Sequence, residues 1–183
     1  MMTDATLFFV PPGAPLSLVG AAGQSIPSPN LVDILSLGAG IAPASIIGTS
    51  YPTFGSDSGI GGDKPQIEVV LGTQPVTSNS CTLNVALQGA ADSGLAGGYQ
   101  PGTWQTLVET GPMTAAQLTS GAVVARFDYP PAFPNNLRPR FYRLLFQVPA
   151  TGSFTAGTIS FATIALVRDD TANLLAQNNY TVA

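Results

Sequence analysis

The side chains able to do chemistry are few in this sequence, and their spacing does not gather them into a reacting group. It has no histidine and a single cysteine, Cys81. That excludes Ser-His-Asp and Cys-His nucleophiles, imidazole metal sites and paired-cysteine redox chemistry. Glu68 and Glu109 are the only glutamates, and both fall inside strand patterns, where they read as solvent-facing residues and not as an acid–base pair. Asp57 and Asp63 sit among glycines in GSDSGIGGDK, but their spacing is not that of a calcium-binding helix–loop–helix and reads as a turn. LSLGAGIAP resembles a strand leading into a dinucleotide turn until Pro43 takes the third glycine position and no amphipathic helix follows. Asn179 and Thr181 match a glycosylation acceptor by count alone. The sequence predicts no enzyme: no catalytic residue, no metal and no cofactor.

Two further groups could recognise a partner. Arg138, Arg140 and Arg143 form the one basic cluster. On a strand the first two share a face and the third points away, which suits strand-end charges or ion-pair partners. Trp104 reads as a core or interface anchor. Cys81 opens an alternating strand and reads as a small buried apolar residue.

The elements that carry these residues are strands. QIEVVLG (66–72) sets Ile67, Val69 and Leu71 on one face, and CTLNVALQ (81–88) alternates most cleanly, with Cys81, Leu83, Val85 and Leu87 inward. LVDILSL (31–37), TWQTLVE (103–109), AVVARFDY (122–129), RFYRLLFQV (140–148) and TISFATIALV (158–167) complete the set. RFYRLLFQV puts Tyr142, Leu144, Phe146 and Val148 together, and TISFATIALV is apolar on both faces near its end, as a covered strand would be. One short helix is predicted at 113–119, with Thr114 and Gln117 as a capping box after Pro112 and Gly121 as its stop. Strands with Gly/Pro punctuation and almost no helix predict an all-β antiparallel β-sandwich, jelly-roll-like.

Residues 1–29 are rich in proline and predict an extended N-terminal arm. The sandwich domain is assigned to 30–170 and a C-terminal tail to 171–183. Within the arm, Leu7, Phe8, Phe9, Val10, Leu16 and Leu18 are apolar residues that a solvated tail has no reason to carry. They are the candidate partner or oligomer interface. The stretch 38–65 is long for a plain connection and could hold another strand or a partner-binding loop.

Composition narrows the partners. Charged residues are 9% of 183, against roughly 25% in soluble domains. Hydrophobic residues are 45%, so the chain can build a core. A net charge of −4 argues against nucleic acid, which needs clustered cations. No run reaches the ~18 apolar residues of a membrane helix, and the N-terminus lacks the positive region of a signal peptide. A surface poor in lysine and glutamate suits a protein largely covered by partners.

Several segments, in order, resemble the cement or decoration proteins of short-tailed phages of the Bordetella-phage type. They are NLVDILSLGAG (30–40), DSGIGGDKPQIEVVLGT (57–73), SCTLNVALQGAADSG (80–94), GTWQTLVETGPMTAAQLTSGAVVARFDYP (102–130) and RPRFYRLLFQVPATGSFTAGTISFATIALVRDD (138–170). The longer, proline-rich N-terminus departs from that pattern. The resemblance implies a jelly-roll-like subunit made in the host cytoplasm. It would assemble as a homodimer or homotrimer on the outer surface of the virion, bind the major capsid protein and bridge capsomers. Composition alone supports only a structural or binding β-domain. It leaves open a tail, baseplate or fibre domain, or a carbohydrate-binding module with Trp104 and Tyr99 stacking on sugar.

Overall fold

Period-two alternation requires sheets, and the apolar face of each sheet requires a second sheet against it. A computed structural model describes residues 7–20, 22–33, 65–93, 100–129, 139–149 and 151–166. Its architecture is an all-β sandwich of antiparallel sheets packed on one another. The first sheet runs in the order β1 (Phe8–Val10), β13 (Thr158–Leu166), β5 (Pro65–Leu71) and β10 (Val123–Asp128), with β2 (Leu16–Ser17) also on β13. The second runs β3 (Ser25–Pro27), β11 (Phe141–Gln147), β7 (Thr82–Ala90) and β8 (Gln105–Glu109). In addition, β4 (Val32–Asp33) pairs with β11 and β9 (Met113–Thr114) with β7. A small third sheet joins β6 (Val76–Ser78) to β12 (Ser153–Ala156).

The core lies between the two large sheets. Ile67, Val69 and Leu71 of β5 meet Leu83, Val85 and Leu87 of β7 and Tyr142, Leu144 and Phe146 of β11 in one buried cluster. Register keeps these faces together: Leu144 lies opposite Leu87 and Phe146 opposite Val85, while Ile164 lies opposite Ile67. Burying such a side chain contributes roughly 1.5–3 kcal/mol. Gly89 lies opposite Tyr142, and an added Cβ there would come within 2.8 Å of Pro139. That crowding accounts for a glycine inside an otherwise regular strand.

The N-terminal segment does not stand apart as an arm. Its described part is built into both sheets through β1, β2 and β3, so residue 29 does not mark the edge of the sandwich. Prolines fit here because these strands are short. Pro11 accepts a hydrogen bond from the Ala14 N–H at 3.0 Å and forms the turn from β1 to β2. Pro27 ends β3, at the sheet margin, where a missing donor costs little. The predicted helix at 113–119 is instead β9 followed by a single 3-10 turn, Ala115–Gln117. Gln117 Oε1 accepts the Thr114 N–H at 2.8 Å, and Gly121 at φ 76 turns the chain into β10. Of the strand predicted at 31–37, Val32 and Asp33 form β4, with Leu31 exposed just before it. Residues 34–37, the 38–65 connection short of Pro65, and the 171–183 tail lie outside the described residues.

Candidate functional site

The partner candidates of the N-terminal segment lie mostly inside the chain's own core. Phe9, Val10 and Leu18 are fully buried and Leu7 nearly so. Phe8 and Leu16 are half-buried. The same apolar residues that suggested docking on another chain are satisfied by β13 and the opposite sheet, because β1 and β2 pair with β13. Four consecutive apolar residues predict burial without indicating which surface supplies it.

Among the described residues the charged groups form two clusters and one cross-strand pair. At the end of the sandwich where β4, β7 and β11 meet, Arg140 is buried between two carboxylates. It donates from Nε and Nη2 to the two oxygens of Asp33, each at 2.8 Å, and from Nη1 to Asp92 at 2.7 Å. The fork of the guanidinium matches the Asp33 carboxylate edge to edge, the strongest geometry available to such a pair. Hydrogen bonding to Asp33 outweighs burial and raises the Arg140 pKa further. Nearby, Tyr129 and Tyr142 pack edge to face with ring centroids 5.4 Å apart. Burial pushes Tyr129 up to about 12 and raises Tyr142 as well.

The second cluster covers the outer face of the second sheet. There Arg143 stacks its guanidinium 4.3 Å above the Trp104 ring and donates from Nε to Gln88 Oε1 at 2.8 Å. Burial lowers the Arg143 pKa. Gln88 in turn donates to Thr106, and Asn84 donates to Glu109 at 3.0 Å and to Gln147 at 2.8 Å. Side chains from β7, β8 and β11 thus run across the sheet as rows of amides, each satisfied by the next. On the first sheet Arg126 pairs with Glu68, its direct cross-strand neighbour. Glu68 is buried, contrary to its reading as a solvent-facing residue, because Arg126 on the adjacent strand compensates its charge. Glu109 is exposed, as read.

Chemically these arrangements brace strands. Among the described residues the carboxylates in them are held by a cation or an amide: Asp33 and Asp92 by Arg140, Glu68 by Arg126 and Glu109 by Asn84. Cys81 is buried and its thiol pKa is pushed up by that burial, which disfavours the reactive thiolate. Among the described residues no three potential metal ligands gather, and no helix is long and apolar enough to cross a membrane. Asp57, Asp63, Tyr99, Arg138, Asn179 and Thr181 lie outside the described residues. The sequence supplied Arg140, Arg143 and Trp104 as candidates but not their partners, since Asp33 stands 107 positions from Arg140. The chain matches no protein-family model and no curated protein.

Proposed function

We propose that this chain is a capsid cement protein, which binds the exterior of a tailed-phage capsid through the major capsid protein and bridges neighbouring capsomers. The observation that carries the reading is the ordered series of segments from NLVDILSLGAG to the closing apolar strand. The fold supports it as a suitable frame. Among the described residues Arg126, Arg140 and Arg143 are engaged in bracing strands, and the chain has few charges with which to hold small polar ligands. For the sugar-binding alternative, the Arg143 guanidinium already takes one face of the Trp104 ring.

With so few charges, attachment rests on apolar contact and backbone hydrogen bonds. Exposed ion pairs are screened beyond about 10 Å at 0.1 M salt, whereas apolar burial is not. The test adds purified full-length protein to parent capsids lacking it, followed by sedimentation and cryo imaging. The expected result is density on the outer capsid surface that persists in roughly molar NaCl. Failure to sediment with capsids overturns the function, and release by salt alone overturns the apolar mode of attachment.

A further inference from the structure

Among the described residues β10 is the outermost strand of the first sheet, and its side chains reach solvent. Val123 is 44% exposed, and Arg126 and Asp128 are exposed on the outer face. Backbone parity decides which of its polar groups face away from β5. Tyr129 donates its N–H to the Pro65 carbonyl at 3.0 Å, on the β5 side. In an antiparallel ladder the residues bonded to one neighbour alternate. Phe127 and Ala125, in register with Ile67 and Val69, therefore bond β5. The N–H and C=O groups of Arg126 and Asp128 point away from β5, to an edge that no described strand covers. The strand contains neither proline nor lysine; its register shift lies between Val123 and Ala125, ahead of the regular stretch from Ala125 to Asp128.

We propose that this edge pairs antiparallel with the same strand of a second copy, about a two-fold axis at Phe127. Parity allows two-fold registers centred on Ala125, Arg126 or Phe127, and charge selects among them. Centring on Ala125 sets Arg126 opposite Val124. Centring on Arg126 sets the two guanidinium groups against each other, a destabilising arrangement. Centring on Phe127 places Arg126 of each copy opposite Asp128 of the other, twice, in the hydrogen-bonded positions of the new ladder. Arg126 already reaches Glu68 on β5, and Asp128 already accepts from Gln66 Nε2 at 3.3 Å. The second copy would join these pairs into one row crossing four strands. The pairing needs only this chain, so it is independent of capsid binding.

The test measures the mass of the purified full chain by light scattering and sedimentation over a range of concentrations, beside amide hydrogen exchange. The expected species is a dimer whose Arg126 and Asp128 amides are protected only when associated. Asp128→Lys sets like charges opposite each other and is expected to weaken association by about tenfold or more. Asp128 is exposed and loses only its long surface bond from Gln66, so the thermal midpoint of the monomer is expected to shift little. A wild-type chain that stays monomeric at its highest soluble concentration overturns the proposal. So does an assembly that Asp128→Lys leaves unchanged, or exchange at Arg126 and Asp128 that does not depend on concentration.

Discussion

Thr163 donates its buried hydroxyl, shared with the carbonyl of its neighbour Ile164 at 3.1 Å, to the carbonyl of Leu7 at 3.2 Å, joining residues 156 positions apart. The bond fastens the beginning of the described chain to its last strand, beside the register pair Phe8 and Thr163. Replacing Thr163 by valine keeps the shape and removes the donor. With the Leu7 carbonyl left short of a partner, the loss is expected to be about 1–3 kcal/mol. Urea unfolding measures it directly, and an unchanged midpoint would mean that water or another donor replaces the hydroxyl.

Phe9 is expected to behave as a core residue. Fully buried between β13 and the opposite sheet, it should cost about 3–5 kcal/mol when cut to alanine. By the same reasoning a chain lacking residues 1–12 loses β1 and should unfold at much lower denaturant than the full chain. The proline-rich composition alone suggests a dispensable arm. Circular dichroism of the truncated chain separates the two outcomes.

Arg140 holds two carboxylates in place with a side chain 8% exposed. Arg140→Met removes the guanidinium that Asp33 and Asp92 both engage, and breaking a buried pair in this way costs about 3–5 kcal/mol. Adding Asp33→Leu to that variant should recover part of the loss, because the carboxylate that lost its bidentate contact is removed as well. A double variant no more stable than the single one would count against the pairing as the source of the effect.

Stability should fall in alkali. Burial raises Tyr129 from its free value of 10 to about 12, and Tyr142 shifts the same way. Below pH 10 both rings are neutral whether the chain is folded or not, so no stability is lost. As pH rises from about 10 to 12 the unfolded chain releases these protons and the folded chain resists, which lowers the free energy of unfolding. Denaturant midpoints measured across that window should drop, and Tyr129→Phe with Tyr142→Phe should flatten the decline.

The strands that alternate most clearly were the most legible. Leu83, Val85, Leu87, Tyr142, Leu144 and Phe146 all lie inward as their spacing predicts, because a period of two assigns each residue to a face directly. The N-terminal strands were not legible in the same way. At two or three residues each they are too short for alternation to show, and their prolines suggest an unpaired chain. The polar clusters were half legible. Arg140 and Arg143 stand out in a charge-poor sequence, but Asp33, Gln88 and Trp104 become their partners only once β4, β7 and β8 are laid beside β11. Glu68 was misread because strand period gives the outer face without telling whether that face is dry. Its burial depends on Arg126 across the sheet.

The adjacency of β1 and β13 also governs how the fold bears force. These strands run antiparallel, so Leu7 at the start of one and Leu166 at the end of the other lie at the same end of the pair. Tension applied through those two points would separate the strands like a zipper, loading one hydrogen bond at a time. Tension applied along the strands, through opposite ends, would load the whole ladder at once. A chain of this connectivity therefore resists stretching far better when gripped by its sheets than when pulled at Leu7 and Leu166.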